Sequence, residues 1–335
     1  RDDAHHTPET TGNWGAARIT NRVDAHGDGG RRRSHFLRVT MSSGTFVRMA
    51  DVTRHEGELE SLALSLGNES TLVLAPERGG IATRLRLGGA EIFYLDRATL
   101  LDPTKNVRGG NPVLFPQPGK LEGDAYEARG ARYTMKQHGF ARTLPWAVER
   151  TSATPHPSAT LTLASSDATR AQYPWDFRAE YTYTLTGRAM RVDMSFTHTG
   201  TSGPPMPFGA GFHPYFLVPD ADKGRVVLGT EATRGFDNVT KTTGPVALDL
   251  TRDELDVHLD DHGDRPFSLT TPSYALALRA SPAMWRWVVW TLAGKDFVCV
   301  EPWTCAGNAL GTGESLLRLE PGQRLDLFME IERTA

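Results

Sequence analysis

Residues 179–187 read AEYTYTLTG and residues 190–200 read MRVDMSFTHTG. In the first stretch Ala179, Tyr181, Tyr183 and Leu185 take every second position, with Glu180, Thr182 and Thr184 between them. A period of two is the signature of a strand with one buried and one wet face. The Gly187 turn before the second run predicts an antiparallel pair. The same reading extends outward. SATLTLASS (158–166) alternates before this pair, and STLVLAP (70–76), ATRLRLGG (82–89) and EIFYLD (91–96) are short runs bounded by turn residues. YALALRAS (274–281), FVCVEP (297–302), SLLRLEPG (315–322) and RLDLFMEIE (324–332) follow. Gly, Pro and Asn clusters between the runs supply turns, in keeping with 33 glycines and 21 prolines. The expected fold class is all-β: a large antiparallel double sheet with few short helices. One helix is expected at TRDELDVHLDD (251–261).

Residues 1–54 differ from the rest. They are polar, glycine-rich and charged in both signs, without a sustained period, and are expected to be a flexible extension. The remaining 55–335 read as one sandwich domain. Arg31, Arg32 and Arg33 are read as a solvated charge run, and Met41 and Met49 are candidate true starts of the polypeptide.

A net charge of −3 gives no footing for a nucleic-acid partner or a charged membrane surface. No apolar run approaches the roughly 20 residues of a bilayer span, and no secretory signal is legible. Two cysteines, Cys299 and Cys305, are too few for a disulfide framework, and together these features suggest a cytoplasmic protein. Neither cysteine has CxxC or HxxxH company, so no metal is expected. There is no GxxxxGKS loop, no strand–GxGxxG–helix unit and no GxSxG elbow, which disfavours the common nucleotide chemistries and the usual serine hydrolases.

Four stretches carry candidate chemistry. MKQHGFART holds His138, Phe140 and Arg142; GAGFHPYFLVPD holds His213 and Tyr215; FVCVEPWTCAGNAL holds Glu301 and Trp303; KNVRGGNPVLFPQPGKL holds Arg108 and Lys120. Each mixes aromatics with Gly or Pro and ionisable tips, the ingredients of a rigid concave pocket for a sugar. An imidazole and a carboxylate are also a natural acid and base pair near neutral pH.

RGGNPVLFPQPG (108–119), QHGFAR (137–142), HPYF (213–216) and CVEPWTCAGNALGTGESLLRLEPG (299–322) resemble, in order, the signature stretches of the aldose 1-epimerase (galactose mutarotase-like) family. The resemblance implies a β-supersandwich with an open cleft on one sheet. It implies interconversion of α and β anomers of a free aldohexose without cofactor or metal. A monomer is expected, with a small-molecule sugar as its partner and no nucleic acid or membrane. The resemblance places His213 as general acid at the ring oxygen and Glu301 as general base at the anomeric hydroxyl, on opposite sides of the sugar. His138, Arg108, Arg142, Phe140, Tyr215 and Trp303 are assigned to the substrate, with Asp256 as the family's additional aspartate. Some relatives act on hexose 6-phosphates, for which Arg108 and Arg142 are the phosphate ligands; the EPWT…NAL.TGE ending looks more like the free-sugar branch. A non-catalytic carbohydrate-binding sandwich and a glycoside hydrolase using Asp256 and Glu301 are the rivals from other classes.

Overall fold

The computed structural model describes residues 50–335. The flexible-extension reading of residues 1–49 lies outside the described residues. Residues 50–54, expected in that extension, instead belong to the strand Ala50–His55, which pairs antiparallel with Ser61–Leu66. It begins a five-stranded meander that ends at Ala90–Glu91.

Two eight-stranded sheets form the body of the fold. At the centre of one are Arg324–Arg333, Ala189–His198, Phe177–Leu185 and Ser158–Ala164, neighbours in that order. Phe177, Ala179, Tyr181, Tyr183 and Leu185 are all buried, and the alternate residues are not, as their period predicts. The other sheet runs Thr242–Pro245, Arg234–Asp237, Glu254–Leu259, Arg286–Leu292, Phe297–Trp303, Gly211–Phe212 and Val113–Leu114. Tyr215–Leu217 also pairs with Phe297–Trp303. All pairings between named strands are antiparallel.

The shared core holds Phe115, Phe177, Tyr181, Phe196, Phe208 and Phe212 from several elements, together with Leu255, Val257, Val289, Val298 and Val300 from the second sheet. Burying each large apolar side chain contributes about 1.5–3 kcal/mol, so this layer sets the separation and orientation of the sheets.

The helix expected at 251–261 is a strand, Glu254–Leu259. The register explains the correction. Leu255, Val257 and Leu259 enter the core while Glu254, Asp256 and His258 face the other way, a period of two. Neighbours on both sides, Arg234–Asp237 and Arg286–Leu292, complete its ladder. Tertiary pairing outweighs weak local helix propensity. The α-helices observed among the described residues are short: Arg97–Leu101, Asp167–Arg170 and Ala309–Thr312.

Candidate active site

The second sheet turns its coreless face to a cleft of about 980 Å³. Strand register writes its floor. Val288 lies opposite His258 on one side and Glu301 on the other. Asp256 lies opposite Trp290, which lies opposite Cys299, which lies opposite Tyr215. Residues directly opposite in an antiparallel sheet share a face, so these rows present one continuous surface.

Glu301 sits inside the wholly buried strand Phe297–Trp303 rather than at its lip, and is 1% exposed. Trp303, two residues on and therefore on the same face, donates from Nε1 to Glu301 Oε2 at 3.2 Å. This is why a carboxylate stands beside a tryptophan in the sequence: the indole aligns it. Burial pushes the Glu301 carboxyl well up, and the Asp256 charge adds to the effect.

His213 Nε2 lies 3.4 Å from Glu301 Oε1. The two therefore stand side by side on one wall, not across a sugar from each other as expected. His213 stacks on Tyr215, centroids 4.7 Å apart and rings 9° from parallel. Burial, then the Arg142 and Arg108 charges, push the imidazole down to about 3. Its Nδ1 is buried without a hydrogen-bond partner.

His138 is set by its turn. Gly119 N–H donates to its Nδ1 at 3.0 Å, so in the neutral ring the proton is on Nε2. His138 has φ +69° and Gly139 φ +72°; a Cβ on Gly139 would lie 2.2 Å from the Phe115 carbonyl oxygen. His138 is thus held edge-on to both His213 and Trp303, at 5.4 and 5.6 Å between centroids.

Arg108 and Arg142 line the same cleft. Arg108 leans over Trp290 at 5.3 Å. Its backbone is fixed from behind. The buried Arg78 guanidinium bonds the carbonyls of Leu100, Asp102 and Lys105 at 3.0, 2.7 and 2.6 Å, bracing the turn before Arg108. Arg142 Nη2 donates to the Gln137 carbonyl at 2.8 Å, while its Nε is buried without an acceptor. Burial pushes its pKa down to about 10. Among the described residues neither arginine has a carboxylate partner.

Asp256 faces the cleft with both oxygens held. Asn238 Nδ2 donates to Oδ2 at 2.7 Å, and His258 Nε2 lies 3.1 Å from Oδ1. Burial pushes this carboxyl up, but the hydrogen bonds from His258 and Asn238 help to outweigh it, leaving Asp256 below its ordinary value. Arg286 Nη1 meets His258 Nδ1 at 3.2 Å, and an arginine only donates. His258 therefore carries its proton on Nε2 and gives it to Asp256. His258, Asn238 and Arg286 were not foreseen from the sequence. The available signal was the two-residue step from Asp256 to His258, which the helix reading of 251–261 hid.

Of the expected substrate residues, Arg108, His138, Arg142, Tyr215, Asp256 and Trp303 line the cleft with His213 and Glu301, as does Lys120. Phe140 does not. It is 3% exposed within the core, edge-on to Phe115 and stacked with Phe177 at 6.0 Å. The positive-φ turn at His138–Gly139 reverses the chain, so His138 and Phe140 point to opposite layers. Among the described residues no helix is long and apolar enough to cross a membrane.

The family model described as aldose 1-epimerase matches residues 63–332. Slr1438 from Synechocystis sp. PCC 6803 is a solved structure with 31% identity and a TM-score of 0.76, covering 88% of this chain and 99% of that one. A Cenchrus ciliaris protein named "Putative glucose-6-phosphate 1-epimerase" is 28% identical over 163 residues, 45% of this chain and 44% of its own length. YihR of Escherichia coli K12 is 24% identical over 250 residues, 65% of this chain and 77% of its own. The match to the Cenchrus protein thus spans less than half of that relative. With a family match running through most of the sandwich and every cleft-lining strand, the chain belongs to the aldose 1-epimerase family.

Proposed function

We propose that the protein interconverts the anomers of a hexose 6-phosphate, with His213 and Glu301 as the acid and base. The observation that carries the reaction is their 3.4 Å separation at the floor of an open cleft. The anomeric hydroxyl and the ring oxygen are bonded to the same carbon. An acid and a base that serve both must themselves be neighbours, and a glycosidase pair flanking a bond would be set apart.

Glu301 accepts the proton of the C1 hydroxyl while His213 delivers one to the ring oxygen. The bond from C1 to the ring oxygen breaks and the C1 carbonyl forms. Rotation about C1–C2 presents the other carbonyl face, and the reverse transfers close the ring. Ring opening leaves Glu301 protonated and His213 neutral. Burial favours that uncharged pair. The site therefore supports the open-chain intermediate, and the reverse transfers that close the ring return Glu301 to carboxylate and His213 to imidazolium. Positioned general acids and bases contribute typically about 10²–10⁴-fold each.

The phosphate reading rests on Arg108 and Arg142. Both act on His213, the group assigned to the ring oxygen, and neither has a carboxylate partner among the described residues. C6 branches from the carbon on the far side of that oxygen, so a 6-phosphate falls on the arginine side of the cleft. Arginine suits bidentate phosphate contacts. A free aldohexose is the second reading, favoured by the EPWT ending of the sequence. Asp256 and Asn238 remain for ring hydroxyls in either case.

Exchange NMR of glucose and glucose 6-phosphate anomers separates the two. The expected result is a higher kcat/KM for the phosphate ester, with Arg142→Ala raising KM for that ester about tenfold or more and leaving free glucose nearly unaffected. Equal loss for both sugars would assign Arg142 to the ring hydroxyls and restore the free-sugar reading.

A further inference from the structure

Cys299 stands two residues before Glu301 on the same face of the strand Phe297–Trp303 and is fully buried. One ring nitrogen of His213, Cys299 Sγ and a Glu301 carboxylate oxygen all lie within 4.8 Å of one another. No sequence spacing reveals this, because two of the donors sit on one strand and the third comes from the Phe212–Tyr215 segment beside it.

We propose that His213, Cys299 and Glu301 form a site for a thiophilic divalent cation such as Zn²⁺, and that its occupation switches the acid–base pair off. The switching clause rests on the function proposed above; the binding clause does not. Three features support it. Zinc bonds of about 2.0–2.3 Å in a tetrahedron set the ligand atoms roughly 3.5 Å apart. The His213–Glu301 spacing of 3.4 Å already meets this, and Cys299 Sγ lies within 4.8 Å of a donor atom of each. A thiolate, a carboxylate and a neutral imidazole balance the charge of the dication, so the loaded site is electrically neutral, as a buried site requires. His213 and Glu301 both open on the cleft, which leaves the fourth position to water. The sulfur selects zinc-like ions over Mg²⁺ and Ca²⁺. Once bound, the ion occupies the imidazole nitrogen and the carboxylate that proton transfer needs.

The test uses Co²⁺ as a spectroscopic stand-in for Zn²⁺ on the full chain. The chain has only two cysteines, so a thiolate-to-cobalt charge-transfer band in the near ultraviolet reports Cys299 or Cys305 and no histidine elsewhere. One equivalent of Co²⁺ is expected to give the band and Zn²⁺ to abolish it. Cys299→Ala and Cys299→Ser, each with near-ultraviolet circular dichroism to confirm the fold, lose the band, and Cys305→Ser keeps it. Absence of the band in the wild type, or its survival in both Cys299 variants, overturns the site. In exchange NMR, Zn²⁺ is expected to slow the wild type at least tenfold and to leave Cys299→Ala at its metal-free rate. Binding without inhibition would overturn the switching clause. A wild type inactive on both sugars would refute the proposed function while the cobalt result still decides the site.

Discussion

His213 Nε2 and Glu301 Oε1 lie 3.4 Å apart on the cleft floor, so the proposed acid and base stand as one unit. Stability and catalysis draw on the same two groups, and their pH dependences have opposite signs.

His213 is held down at about 3 against an ordinary 6.5. Between those values the unfolded chain binds a proton that the folded chain refuses, so stability rises with pH across the window. Above 6.5 the group contributes nothing; below 3 its full penalty is present. Urea unfolding across this window is expected to show a limb steeper in the wild type than in His213→Gln by up to about 1.4 kcal/mol per pH unit. Equal slopes would show that the imidazole is not kept neutral.

Glu301 behaves conversely. Burial raises its carboxyl well above 4.5, so the folded state keeps a proton that the unfolded state releases as pH rises past that value. Its contribution to stability therefore falls with rising pH. Glu301→Gln removes that loss and keeps an oxygen for the Trp303 indole. The variant is expected to melt at or above the wild-type temperature at neutral pH while anomer exchange falls by at least about 10²-fold. A lower melting temperature with unchanged exchange would remove Glu301 from the mechanism.

His258 acts through Asp256. His258→Ala removes the donor to Oδ1 and frees Arg286 Nη1, whereas His258→Asn retains a short donor. The alanine variant is expected to raise KM about tenfold with kcat changed less, and asparagine to restore part of the affinity. An effect on kcat alone would assign His258 to the proton transfers instead.

Gly139→Ala places a methyl group 2.2 Å from the Phe115 carbonyl oxygen in a left-handed turn. Strain of this kind costs on the order of 1–3 kcal/mol, and His138 shifts with the backbone. Lower unfolding free energy and weaker sugar binding are expected together; a stable variant with unaltered KM would detach the turn from the site.

The sheets were legible because half-buried strands announce themselves: Tyr181, Thr182, Tyr183 and Thr184 alternate in the sequence as they do in space. The ionisable residues of the cleft were legible through their resemblance to a family. What remained hidden depends on three-dimensional register. Leu255, Val257 and Leu259 fit a strand or an acidic amphipathic helix, and only the neighbouring strands decide between them. With that choice missed, His258 had no visible face. Phe140 misled for a related reason: adjacency to His138 in the chain says nothing of direction once a positive-φ turn intervenes.

Val288 separates His258 from Glu301 along one row of the floor. Adjacent strands are about 4.8 Å apart, so two strand gaps fix the distance between His258 and Glu301. That dimension belongs to the backbone ladder and cannot be retuned by loop variation. Enlarging Val288 would lift every ligand off the floor alike, whereas altering its flanking residues would change which sugar is preferred, making this aliphatic position a control for ring size and its neighbours controls for stereochemistry.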